Sequence, residues 1–141
     1  FLQKNPPVLL DVAHNPSGAV SLVAFLDEVL RDRRIGLVAG FSEDKDAVGI
    51  LRILAPRVDV CWIVELSQPN TMSCHDACMA AQQVGLRPRA SHLLEAIQSA
   101  KAWAVANQGA VCITGSVFLG GDVLAGCMPL GEWDDAGCSR D

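Results

Sequence analysis

The stretch VLLDVAHNPSGA, residues 8–19, joins an apolar run to the start of a helical pattern. Val8-Leu9-Leu10 reads as a strand, and Asp11 closes it. His14-Asn15-Pro16 then turns the chain into a helix. Asn15 can accept from the unpaired N–H groups of the first turn, and Pro16 suits the first helical position, where its missing N–H costs nothing. A strand that ends in a carboxylate and turns into a helix N-terminus puts polar groups where open α/β sheets bind ligands. Ordinary turn and cap chemistry would place Asp11 and Asn15 at the same positions, so a functional reading needs more than this one loop.

The rest of the chain alternates in the same way. Pro16 to Leu30 reads as a helix with Ala19, Leu22, Val23, Leu26, Val29 and Leu30 on one face. Arg31-Asp32-Arg33-Arg34 is a solvated turn. Ile35 to Ala39 is a second strand, ended by Gly40. Ala47 to Leu54 is a second helix facing inward with Ala47, Ile50, Leu51 and Leu54, and Pro56 stands beyond its end. Val58 to Val64 is nearly continuous in apolar residues, as a strand buried on both faces should be. After a loop, Ser67 to Thr71, Ser73 can cap a third helix with Cys74, Ala77, Cys78 and Ala81 inside, ended by Gly85. Pro88 to His92 fits a short strand. Leu93 to Ala106 is a fourth helix closed by Gly109, and Ala110 to Thr114 is a buried strand. Gly115-Ser116 turns into a glycine-containing helical segment, Val117 to Cys127. This alternation predicts an α/β fold: a Rossmann-like, open, mostly parallel sheet with helices on both faces. We expect one domain over residues 1–130 and a loose tail over 131–141.

Composition narrows the function classes. With 141 residues, half of them hydrophobic, the chain can bury a real core. The net charge is −5, and the tail concentrates acid in Glu132, Asp134, Asp135 and Asp141. No basic stripe with interleaved aromatics appears, so nucleic-acid binding is disfavoured. No apolar run is long enough to span a bilayer, and no signal peptide opens the chain. Of the six cysteines, Cys61 and Cys112 sit in strand-like apolar runs, where cysteine behaves as a small hydrophobe. Together these predict a reduced, cytoplasmic protein. Cys74-His75-Asp76-Ala77-Cys78 lacks CxxC spacing and a second ligand pair, so no metal site is expected. His75 and His92 have no motif around them.

Three strand-end loops hold polar residues. The first carries Asp11, His14 and Asn15, the second is GFSEDKD with Lys45 and Asp46, and the third is Thr114-Gly115-Ser116. In a doubly wound sheet all three lie at the carboxyl edge. A strand-end carboxylate can accept ribose hydroxyls, and a histidine nearby can donate to a carboxylate or phosphate. Lys45 supplies a point charge for an anion. Gly115 permits close backbone approach, and Ser116 can join an anion cradle at a helix start. Taken singly, the acidic-basic run is also an ordinary exposed helix entry and Gly-Ser an ordinary turn. There is no GxxxxGK[ST] phosphate loop, no GxGxxG and no GxSxG elbow, so the chain should not activate a nucleoside triphosphate unaided.

In this order, LLDVAHNPSGA, GFSEDKD and VCITGSVFLGGDVL resemble the C-terminal domain of folylpolyglutamate synthase / dihydrofolate synthase, in the Mur ligase superfamily. The resemblance extends to about Leu124, and Val12 and Asn15 favour the folate branch over Mur ligases at large. It implies an ATP-dependent, ADP-forming amide-bond ligase of folate biosynthesis, in which a carboxylate is activated as an acyl phosphate and attacked by the amine of L-glutamate. It implies a folate or dihydropteroate substrate, and Mg2+ held mainly by an N-terminal phosphate-loop domain that this chain lacks. Asp11 then lies on the ribose side of the nucleotide, His14 and Ser116 contribute to the glutamate site, and Asn15 holds the turn. Lys45 and Asp46 match the family's DKD. No catalytic residue is assigned to this domain, and the chain reads as one part of a longer protein, inactive alone. The alternatives are a stand-alone α/β nucleotide- or ligand-binding module, or the C-terminal domain of another Mur-type ligase.

Overall fold

Strands and helices alternate as the apolar spacing predicts. The computed structural model describes residues 1–11, 13 and 15–116. Val12, His14, the expected helix Val117–Cys127 and the tail 131–141 lie outside the described residues. The elements are Gln3–Lys4 (β1), Pro7–Leu10 (β2), Pro16–Val29 (α1), Arg34–Ala39 (β3), Ala47–Leu54 (α2), Val60–Ile63 (β4), Cys74–Gln83 (α3), Pro88–Ala90 (β5), Leu93–Asn107 (α4) and Gly109–Thr114 (β6). They build one sheet of order β1-β2-β6-β3-β4-β5. Every pairing is parallel except β1 with β2, which runs antiparallel. β6 returns between β2 and β3, so the loops after β2, β6 and β3 are neighbours at the carboxyl edge.

The pleat sorts the side chains into two cores. Leu9, Ile35, Leu37, Cys61, Ile63 and Cys112 face α1, α2 and α3. Val8, Val38, Trp62, Val111 and Ile113 face α4 through Ala96, Ile97, Ala100 and Ala104. Helices therefore cover both faces. α2 buries Ala47, Ile50, Leu51 and Leu54, the i, i+3, i+4, i+7 stripe, and each large side chain contributes about 1.5–3 kcal/mol when fully withdrawn from water.

Several expectations need correction. β1 was not foreseen. Its two residues are ordered by pairing with β2 and by Leu2 N–H donating to Val8 O at 2.7 Å. Arg34 opens β3 rather than belonging to the preceding turn. The run Val58–Val64 is strand only over Val60–Ile63, because Pro56 lies in a 3-10 turn, Ala55–Arg57, just before it. Val29 is 47% exposed, and Leu30, the cap residue of α1, takes the inward place at 6%. In α3, Ala77, Ala80 and Ala81 are buried, while Cys74 and Cys78 pack half-buried at the flank. Gly85 does end α3: its N–H bonds Gln82 O, and Leu86 N–H bonds Ala81 O at 3.0 Å.

Gly109 does not close α4. Gln108 takes the left-handed turn at φ 54°, and Gly109 begins β6. A Cβ on Gly109 would lie 2.6 Å from Trp103 Cζ3 and 2.9 Å from Arg34 O. Glycine is required there by close packing beneath the indole.

Candidate functional site

The β2 loop is organised by its own polar side chains. Asp11 continues the ladder, donating its N–H to Ile113 O at 3.0 Å. Its Oδ1 accepts from Ala13 N–H at 2.8 Å, an Asx turn that fixes a half-buried carboxylate at the strand end. Asn15 caps α1, with Oδ1 accepting from Gly18 N–H at 2.7 Å, and Pro16 is the first helical residue.

The loop after β3 is held from several sides. Phe41 is fully buried. Its carbonyl accepts from Met72 N–H, and Glu43 N–H donates to Asn70 O, both at 2.9 Å. Ser42 pairs with Thr71 as an isolated antiparallel bridge, so the segment after β4 is stitched to this loop. Asp46 caps α2 through Oδ1 and Gly49 N–H at 2.9 Å. Lys45 lies 4.0 Å from Asp44, a third exposed. Such a solvated neighbour pair contributes little to stability, and it leaves the ammonium able to turn to an anion.

β6 joins the two loops. Thr114 is fully buried, and its Oγ1 donates to Ala13 O at 3.4 Å. Gly115 stands at φ +120°, where a Cβ would come 2.5 Å from Gly40 O. Its role in the structure is to let the β6 and β3 strand ends touch. Ser116 follows, 2% exposed, with its Oγ 3.5 Å from Ser42 Oγ.

Asp11, Asn15, Lys45, Asp46, Gly115 and Ser116 therefore stand on three adjoining loops, and His14 lies outside the described residues. Asn15 and Asp46 are engaged as helix caps. Sequence reasoning did not single out Ser42. Its only local signal is a small polar residue directly after the buried Phe41. A separate cleft of about 540 Å³ opens farther along the edge, between Glu65, Ser91, His92 and Glu95. Cys112, beneath the site, has its thiol pushed up to about 12 by burial and secondarily by the Asp11 carboxylate.

Residues 2–126 match the family model described as dihydrofolate synthetase, C-terminal domain. A dihydrofolate synthase/folylpolyglutamate synthase of Buchnera aphidicola (subsp. Acyrthosiphon pisum) is 34% identical over 71 residues, 50% of this chain and 17% of that protein. The folylpolyglutamate synthase of Mycobacterium tuberculosis, solved with ADP and AMPPCP, is similar with a TM-score of 0.77 and 31% identity, over 91% of this chain and 31% of that one. The bifunctional folylpolyglutamate synthase/dihydrofolate synthase of Yersinia pestis, solved with AMPPNP and a Mn ion, gives a TM-score of 0.69 and 31% identity, over 84% of this chain and 28% of that one. The chain thus spans under a third of the length of these relatives. It belongs to the family of dihydrofolate synthetase C-terminal domains.

Proposed function

We propose that this chain serves as the C-terminal domain of an ATP-dependent, ADP-forming ligase that adds L-glutamate to a folate or dihydropteroate substrate. The observation that carries this reading is the junction of three strand-end loops by Thr114, Gly115 and Ser116, in a member of this family. In such a ligase the substrate carboxylate takes the γ-phosphoryl group of ATP and ADP leaves. The glutamate amine then displaces phosphate from the acyl phosphate. This domain's part is binding and orientation, which alone can supply a large share of a rate enhancement.

Asp11 is assigned to the ribose side of the nucleotide, a reading supported by its half-buried carboxylate at the end of β2. Ser116 and His14 are assigned to the carboxylates of glutamate, and Lys45 adds a positive charge near the same edge. Two loops from different strands can surround a small dianion with donors in a way that one loop cannot. Among the described residues no three His, Cys, Asp or Glu side chains converge as metal ligands. Following the family resemblance, we assign Mg2+ and the main grip on the phosphates to a phosphate-loop domain, and derive no step through the ion here. Residues 1–130 form the ligase domain in this reading and 131–141 a tail. None of the helices described is long and apolar enough to cross a membrane, and we place the protein in the cytoplasm, where ATP, glutamate and free thiols coexist.

The test is an assay of ADP release and glutamyl-amide formation, with the full-length protein and with this chain alone. The full-length protein should require ATP, L-glutamate and a folate or dihydropteroate substrate together. The chain alone should form neither product, because its sequence carries no GxxxxGK[ST] phosphate loop to preorganise charge around a transferring γ-phosphoryl group. Turnover by the isolated chain, or none by the full-length protein, would refute the proposal.

A further inference from the structure

Two buried hydroxyls meet at the centre of the site. Ser42 is 8% exposed and Ser116 2%, and their Oγ atoms lie 3.5 Å apart across 74 residues of sequence. Burying a hydroxyl costs free energy unless it is hydrogen-bonded, and alanine would fill the Ser42 position if packing were all that mattered.

The backbone fixes this spacing. Ser42 is bridged to Thr71, its carbonyl accepts from Lys45 N–H at 3.1 Å, and the buried Phe41 anchors it from the preceding position. Ser116 follows Gly115, where a Cβ would come 2.5 Å from Gly40 O, so the two strand ends lie close together. The Cβ positions of both serines are thus set by strand ends, and the hydroxyls reorient only by rotation about χ1.

Resting on the reading that Ser116 binds glutamate, we propose that Ser42 is the positioning residue for Ser116 and tunes affinity for the amino-acid substrate. A direct O–H···O bond is usually 2.5–3.0 Å, so at 3.5 Å the pair is loosely bonded. When a carboxylate accepts a hydrogen bond from the Ser116 hydroxyl, the Ser116 oxygen becomes the better acceptor for the Ser42 hydroxyl. Ser42 then donates to Ser116, and Ser116 donates to the ligand. Hydrogen bonds in such a chain polarise one another, and the low local dielectric strengthens both. Ser42 touches no ligand in this scheme and acts only by holding Ser116 in the donating orientation.

The test is a double-mutant cycle in the full-length protein, with KM for L-glutamate and for ATP measured separately. Ser42→Ala should raise KM for glutamate about three- to tenfold, the equivalent of one ordinary hydrogen bond, and leave KM for ATP in place. In a Ser116→Ala background Ser42→Ala should have no further effect on glutamate. Ser42→Thr, which keeps the hydroxyl, should bring KM back toward wild type. If Ser42→Ala does not fold, Ser42→Cys takes its place with the same expected outcomes. An unchanged KM in Ser42→Ala beside a raised KM in Ser116→Ala would overturn this inference and leave the proposed function standing. So would an equal effect of Ser42→Ala in both backgrounds. No response to either substitution would remove Ser116 from the glutamate site and overturn this inference together with that assignment, while the ligase reading is judged by its own assay.

Discussion

The two edges of the sheet use polar side chains in opposite ways. At the amino edge the bonds are made by charged groups near solvent, and they hold the connections between elements. Asp59 Oδ2 accepts from Ile35 N–H at 2.8 Å, Arg33 donates to Gly109 O at 3.4 Å, and Arg57 reaches both Asp27 at 2.7 Å and Leu30 O at 3.1 Å. At the carboxyl edge the groups by which β6 links the loops after β2 and β3 are small, neutral and buried: Thr114 to Ala13, and Ser42 to Ser116. Exposed charged contacts tolerate movement and are individually weak. Buried hydroxyls hold distances and pass a change at one loop to the next. The contrast teaches that the carboxyl edge is built for fixed geometry and the amino edge for simple closure.

Each edge also contains a glycine with no room for a side chain, and these allow the contrast to be broken most severely. Gly115→Ala should be the most damaging single change. It combines a backbone conformation that costs about 1–3 kcal/mol in other residues with a Cβ driven into Gly40 O. The expected loss, read from urea unfolding of this chain, is about 3 kcal/mol, with ADP formation by the full-length protein nearly abolished. Gly109→Ala should cost about 1–3 kcal/mol through overpacking against Trp103, while the folded fraction keeps normal turnover. Equal loss of turnover per folded molecule at both sites would erase the distinction between the edges.

A smaller effect comes from the interior between them. Burial, and then the neighbouring Cys78, raises the Cys61 thiol to about 12, and Cys112 is raised to a similar value. A folded-state pKa above the ordinary 9.0 means that the native protein keeps a proton the unfolded chain gives up. This contribution to stability is complete below about pH 9 and is lost as pH rises toward 12. Denaturation series from pH 7 to 10.5 should show the decline beginning near pH 9, at no more than about 1.4 kcal/mol per pH unit for each thiol. Alkylation at pH 8, mapped by mass spectrometry, should label Cys74 and Cys78 before Cys61 and Cys112. Early labelling of Cys112 would show that the carboxyl edge opens readily.

Local chemistry was legible in the sequence and distant pairing was not. The caps at Asn15 and Ser73, the stripe of α2 and the stop at Gly85 follow from residues within a turn of one another, and the structure keeps all of them. The convergence of the three loops was legible too, because alternating strands and helices place strand ends on one side. β1 escaped notice because two residues carry no period, and only β2 orders them. Gln108 was hidden by the glycine after it, whose absent side chain answers to Trp103 rather than to the helix end. Ser42 was missed because its partner is 74 positions away, and no spacing rule reaches that far.

The most direct test sets one carboxylate from each edge against the other. Asp11→Ala and Asp59→Ala each remove a side chain that accepts one backbone N–H at 2.8 Å, so each should cost about 1 kcal/mol of stability. Turnover of the full-length protein should separate them. Asp11→Ala should lose about tenfold to a hundredfold in rate or nucleotide affinity, as expected for a charge-assisted bond to a ligand, and Asp59→Ala should lose none. Normal turnover in folded Asp11→Ala protein would contradict this and reduce Asp11 to the residue that makes the turn.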